Sequence, residues 1–240
     1  MTGRPKTPLW QAIARSLRGD IADRIYEVGD KLPTEAQLAE RFGVNRHTVR
    51  HAIRALATEG LVRTRRGAGV FVTAAPTEYP IGKRVRFHQN IAAGGQAPQK
   101  RIFQIEERPA TASEGDTLMV SRGSQLCICH GVSLANGTPI ALFSSHFPAE
   151  RLPGIAAALT ERTGVTEAFR LCGVSDYTRV STRISARPAT ATQALHLHLE
   201  EGAPLVYSTS LNADGQGCPV EFGKTWFAGD RVTLTIDGAV

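Results

Sequence analysis

The segment from Asn45 to Gly60 carries two opposed stripes on one helix, and few folds accommodate that pattern. Val49, Ala52, Ile53 and Leu56 recur at i, i+3, i+4 and i+7, which makes one helical face apolar. Arg46, Arg50 and Arg54 recur every four residues on the opposite face, with His47 and Thr48 beside them. Asn45 reads as the N-cap and Gly60 as the stop. Just upstream, Thr34-Glu35-Ala36-Gln37 is a capping box that opens a shorter helix with Leu38, Ala39 and Phe42 inward, and Gly43 suits its left-handed end. Residues 8–26 place Trp10, Ile13, Leu17, Ile21 and Ile25 at helical spacing, ended by Gly29 and Pro33. Downstream, Leu61–Val72 is two β-rich runs around Arg-Gly-Ala-Gly, a hairpin signal. Three helices and a hairpin follow one another with no room for anything else.

Charge says what that arrangement meets. The chain has 240 residues and a net charge of +6. Residues 1–75 hold 13 Lys and Arg against 7 Asp and Glu, and residues 76–240 hold 15 against 15, so the whole excess lies in the first third. A basic head on a neutral body suits a polyanionic partner. A B-DNA major groove admits one α-helix, and Arg can bond guanine O6 and N7 bidentately. Arg46, His47, Thr48, Arg50 and Arg54 are therefore expected in the groove. Arg65 and Arg66, beside Gly67, are expected on the backbone or in the minor groove, because glycine lets main chain approach a phosphate. Residues 1–75 are read as a winged helix-turn-helix DNA-binding domain, and a homodimer is expected to bring two such heads to an inverted-repeat operator in double-stranded DNA.

Residues 76–85 carry Pro76 and Pro80 and no periodicity and are read as a linker. Beyond it the pattern is mixed and mostly β. Leu126–Leu134 and Pro139–Phe147 flank Asn136-Gly137, a strong hairpin signal. Asp176–Arg187 alternates as a long strand, and Ala203–Leu211 with Val220–Phe227 form another pair. Helices are expected near 87–94, 153–162, 166–172 and 189–199. Residues 86–240 thus read as an α+β domain with a largely antiparallel sheet, expected to bind an effector and to form the dimer.

Within it, Arg179, Arg183 and Arg187 are spaced by four along one expected strand, and like charges in line need water or an anion. A solvated surface stripe remains open for Arg179 and Arg187, while Arg183, mid-strand, is assigned to a ligand or to the dimer. Arg86-Phe87-His88-Gln89 precedes a helix, a place where free N–H groups and nearby cations receive phosphate. His130 and His146 fall on same-parity positions of the hairpin strands and are expected to line the same pocket or to be core histidines.

Several functions are excluded or disfavoured. No apolar run approaches the roughly 20 residues that span a bilayer, and the N-terminus lacks the apolar core of a secretory signal. Cys127, Cys129, Cys172 and Cys218 are too scattered for a disulfide framework, and a reducing cytoplasm suits them. Cys127 and Cys129 alternate on a strand with no second pair, and His196 and His198 diverge on a helix, so no metal site, cofactor or catalytic group is expected.

LPTEAQLAERFGVNRHTVRHAIRALATEGLVRTRRGAGVFV resembles the DNA-binding domain of the GntR superfamily over residues 8–73. The resemblance implies DNA contacts at Arg46, Thr48, Arg50 and Gly67. Many members carry Arg directly after the Ser/Thr-Glu of the second helix; here Ala36 stands there, so no operator sequence is carried over. Residues 84–237 resemble the UTRA effector domain of the HutC branch, with its chorismate-lyase-like fold, through ANGTPI, HLHLEEGAPLVYSTSLNADG and WFAGDRVTLTID. EYPIGKRVRFHQN and TRISAR resemble its phosphonate-utilisation members, which implies regulation of phosphonate genes, most simply as a repressor, by a small phosphonate- or phosphate-like effector at Phe87, His88 and Gln89. A non-phosphorus ligand such as an amino acid or sugar derivative is the alternative. Sugar-phosphate sensors place arginines where Gly131 and Ser133 stand here, which argues against an amino-sugar phosphate.

Overall fold

A computed structural model describes residues 8–65, 67–73, 76–161 and 164–236, with the side chain of Arg65 left out. The chain divides into two compact units, one running through Pro76 and one beginning at Thr77. Among the described residues no helix is long and apolar enough to cross a membrane.

The first unit contains α1 (Leu9–Ala22), α2 (Glu35–Phe42), α3 (Arg46–Thr58), β1 (Val62–Arg65) and β2 (Gly69–Val72). The expected caps are present. Thr34 and Gln37 satisfy each other's backbone N–H groups at the start of α2, Gly43 ends it with φ 62°, and the Asn45 side chain accepts from the Thr48 N–H. Ile13, Leu17, Leu38, Val49, Ala52, Ile53 and Leu56 pack into one core closed by Val62 and Val72. The apolar stripe of α1 was expected to reach Ile25, but the helix stops at Ala22 and Ile25 is exposed.

The second unit is a six-stranded antiparallel sheet in the order β4-β5-β6-β9-β8-β7, made by β4 (Pro98–Pro109), β5 (Gln125–Ala135), β6 (Thr138–Pro148), β7 (Tyr177–Pro188), β8 (Pro204–Asp214) and β9 (Pro219–Ala228). Asn136 and Gly137 both have positive φ, 49° and 77°, as a two-residue hairpin turn of this hand requires. One face packs against α5 (Ala112–Leu118) and α8 (Ala191–Leu197), through Leu126, Ile128 and Leu118 at one end and Val132, Leu142 and Leu197 at the other. The second face packs against α6 (Ile155–Glu161) and α7 (Val165–Leu171), with Cys127, Cys129, Phe143, Phe147 and Phe169 between. Burial pushes the Cys127 and Cys129 thiols up to about 11 and about 12, so they are protonated core side chains.

The linker expected at 76–85 is shorter than that. Thr77–Pro80 forms β3, which pairs in parallel with β10 (Val232–Thr235), and α4 (Phe87–Ala93) follows. Alternation at Thr77 and Tyr79, both buried, is the signal that Pro80 obscured; a proline is tolerated there because β3 has a partner on one side only.

Candidate functional site

Charged and polar side chains gather in two places, one in each unit. In the first, α3 presents Arg46, His47, Arg50 and Arg54 to solvent, opposite its buried stripe. Thr48 is half-buried, and its hydroxyl donates to Asn45 Oδ1 at 3.0 Å, so it is spent on the cap. Gly67 is exposed in the turn of the β1–β2 hairpin with φ 75°, and among the described residues outside its chain neighbours nothing lies within 4 Å of where a Cβ would stand. The Arg66 expectation lies outside the described residues, as does the side chain of Arg65. The arginines are not alike: Arg50 forms a two-point ion pair with Glu35 at 2.9 and 2.6 Å, whereas Arg46 has no ion pair among the described residues.

In the second unit, a cleft of about 630 Å³ opens between the sheet face, β3, α4 and the start of α7. Arg86, Phe87, His88 and Gln89 all line it. The Arg86 guanidinium lies 4.1 Å above the Tyr177 ring and donates to Asp176 Oδ1 at 2.9 Å, so it serves as a wall. Partial burial, with the charge of Lys100, pulls the His88 imidazole below its ordinary value.

The remaining assignments do not converge on the cleft. Arg183 is exposed and pairs with Thr209, while its neighbour Thr182 pairs with Ser210 on the cleft side. The three arginines do not share a face, because register slips between Arg179 and Ser181 and leaves Val180 without a partner. That bulge turns Arg179 inward, and Arg179 lines the cleft. His130 and His146 do share a face of the hairpin, but only because the register slips between Ser133 and Leu134 and leaves Ile140 without a ladder partner. A two-residue turn alone would put same-parity positions on opposite faces, and the face they share is the one away from the cleft. His146 is buried beside Ser144 at 3.0 Å, and its Nδ1 lies 2.9 Å from Glu114 Oε1 at an angle that makes no hydrogen bond. Burial lowers His146 to about 4. His130 lies 3.9 Å from Glu106.

Lys100 also lines the cleft, and nothing in its sequence surroundings marks it. It stands on β4 opposite Ser133, with its amine 4.4 Å from the Phe143 ring centre and 5.4 Å from that of Phe87, and burial lowers its pKa. The floor of the cleft is likewise unmarked in the sequence. Asn212 Nδ2 donates to Glu221 Oε2 and Ser145 Oγ donates to Glu221 Oε1, both at 2.7 Å, while Arg179 Nε donates to Asn212 Oδ1. The cleft thus combines Lys100 and Arg179 with one buried carboxylate and the hydroxyls of Thr166, Ser210 and Thr225. The chemistry of such a lining suits a small, strongly polar anion with at least one donor of its own.

Comparison with known proteins agrees with this division. The model for bacterial regulatory proteins of the gntR family matches residues 9–72, and the UTRA domain model matches residues 93–233. An HTH-type transcriptional regulator of Rhizobium meliloti is 39% identical over 95% of this chain and 94% of its own length. A probable transcriptional regulator PhnF of Escherichia coli K12 is 32% identical over 95% and 94%, and the transcriptional repressor NagR of Bacillus subtilis 27% over 95% and 93%. The crystal structure of PhnF from Mycobacterium smegmatis has a TM-score of 0.66 at 24% identity, covering 97% of this chain and 99% of that one, a likeness of fold.

Proposed function

This chain belongs to the GntR family and carries its UTRA domain, and from that premise we propose that it represses phosphonate-utilisation genes until a small oxyanion enters the cleft of the second unit. It is a transcription regulator and not an enzyme. The observation that carries the ligand class is the pairing of Lys100 and Arg179 on one wall system. A partly buried amine and a guanidinium whose Nη2 has no hydrogen-bond partner among the described residues attract a tetrahedral oxyanion more strongly than exposed cations would, since less water screens them. PhnF relatives point the same way by name. The working form is a homodimer that places two α3 helices on an inverted repeat. Groove contacts are assigned to Arg46, His47, Arg50 and Arg54, with Gly67, Arg65 and Arg66 on the backbone.

The effector acts only if it binds one placement of the heads better than another. Tyr79 lines the cleft and lies on β3, three residues after Pro76, so the cleft touches the strand through which the chain enters the second unit. Glu221 favours a second reading within the same cleft, a ligand whose cationic or hydroxyl end meets the carboxylate, such as an amino acid or sugar derivative. Calorimetry with phosphate, methylphosphonate, 2-aminoethylphosphonate and amino acids, followed by gel shifts on operator DNA, separates these. Binding of a phosphonate below millimolar concentration with release of DNA is expected; amino acids alone binding would replace the phosphonate reading. Sedimentation of the full chain at micromolar concentration tests the dimer.

A further inference from the structure

One acidic side chain stands against the exposed arginine face of α3. Glu35 is the first residue of α2, and the Thr34–Gln37 capping box fixes the backbone from which it departs. Its Oε1 accepts from Arg50 Nε at 2.9 Å and its Oε2 from Arg50 Nη2 at 2.6 Å, so one edge of the guanidinium is clamped across the turn between α2 and α3. The Arg50 hydrogen bond holds the Glu35 carboxyl below the usual carboxylate range, and the charges of Arg50, Arg46 and His47 add to it. The carboxylate is therefore ionised at neutral pH, on a surface whose other charged groups along α3 are basic.

The donor count decides what the clamp leaves. A guanidinium has five N–H donors in a rigid fork. Glu35 takes Nε–H and one Nη2–H. The two Nη1–H and the other Nη2–H remain, and one from each nitrogen forms the parallel end-on pair that matches guanine O6 and N7. A free arginine at the same position would swing among rotamers and meet phosphates as readily as bases. The carboxylate would repel those phosphates.

We propose that Glu35 is a specificity-determining positioning residue, which holds Arg50 so that its Nη1–Nη2 edge reads one guanine in each half-site, and which weakens binding where that guanine is missing. This rests on the assignment of α3 to the major groove. It adds a residue that touches no base itself.

Selection from a random-duplex library with the full chain tests it, using wild type, Glu35→Gln, Arg50→Lys and the double variant, each checked for an unchanged melting temperature. Wild type enriching a repeat sustains the groove assignment; no enrichment removes that assignment and this proposal with it. Given enrichment, Glu35→Gln is expected to lose about tenfold in discrimination at one guanine per half-site, with unchanged or tighter binding to random duplex. Arg50→Lys is expected to relax the same position, and the double variant to lose no more than Arg50→Lys alone. Three results overturn the proposal while leaving the groove assignment intact. They are equal losses on specific and random duplex, relaxation at a base different from the one Arg50→Lys relaxes, and additive losses in the double variant.

Discussion

Arg179 Nε donates to Asn212 Oδ1 at 2.8 Å, and the same amide donates to the buried carboxylate of Glu221. A cation at the cleft wall is thus joined to an anion at its floor through one side-chain amide, and Nη1 of Arg179 is steadied by Thr182 at 3.2 Å. The guanidinium is oriented before any ligand arrives, which lowers the ordering cost of binding.

That network and Lys100 set the first prediction. Arg179→Ala and Lys100→Ala are each expected to abolish or weaken at least tenfold the effector's release of DNA, while ligand-free DNA binding stays within twofold of wild type, since charge-assisted bonds contribute about 1.5–3 kcal/mol. Arg183→Ala is expected to respond as wild type, because Arg183 points away from the cleft. Gel shifts across an effector titration read all three. A normal response from Lys100→Ala would move the ligand elsewhere.

DNA binding should be steeply salt-dependent, because contacts from the basic head release counterions. Arg50→Ala is expected to cost on the order of 1–3 kcal/mol on operator and to lose less on random duplex. Fluorescence anisotropy at several salt concentrations measures both the loss and the slope. An equal loss on both duplexes would make Arg50 a phosphate contact.

Stability should fall as the pH is lowered through the acid range. His146 is held at about 4 against an ordinary 6.5, chiefly by burial, so between these values the unfolded chain binds a proton that the folded chain refuses. The stability is therefore complete above 6.5 and is lost toward 4, by about 2–3 kcal/mol from this group. Glu114, held below the usual carboxylate range by its hydrogen bond from Arg108, adds a loss in the same direction below its ordinary 4.5. Urea unfolding at pH 7.5, 6 and 4.5 is expected to show the decline, and His146→Gln to flatten it. A slope unchanged in that variant would assign the acid sensitivity to other groups.

Gly131→Ala is expected to destabilise the second unit by about 1–3 kcal/mol, because an added methyl overfills a packed site. Its Cβ would sit 2.5 Å from Phe143 Cζ and 2.6 Å from the Arg101 carbonyl oxygen. The Phe143 ring occupies the space a longer side chain at 131 would need, and it carries Lys100 on its face. Thermal melts of the variant and of Gly131→Ala with Phe143→Leu test this, the second change being expected to restore part of the loss.

The first unit was legible because its signals are local: caps, a glycine at positive φ, and stripes with a helical period all lie within a few residues of what they specify. The second was legible as strands but not as faces. His130 and His146 share a face only through the slip at Ile140, which the alternation in Leu126–Phe147 does not show, and nothing in it says which side α6 and α7 will cover. Lys100 was hidden because β4 contains its own slip, between Ile102 and Gln104, which breaks the period that would have marked Lys100, Ile102 and Ile105 as one side. Arg179 was misplaced for the same physical reason. Glu221 reads as an ordinary strand charge until Ser145, distant in the chain, and Asn212, its partner on the neighbouring strand, are folded against it.

The unpartnered Val180 has a consequence for comparing this chain with its relatives. In β7 it occupies a place in the sequence but none in the ladder, since Arg179 and Ser181 face the adjacent residues Asn212 and Leu211. A relative that lacks this residue keeps the same side chains on the same sides, and a correct alignment puts a one-residue gap here. Without the gap, the cleft arginine of one protein is matched to an outward side chain of the other. A survey of cleft residues across the family then records a substitution at 179 where only a deletion at 180 has occurred.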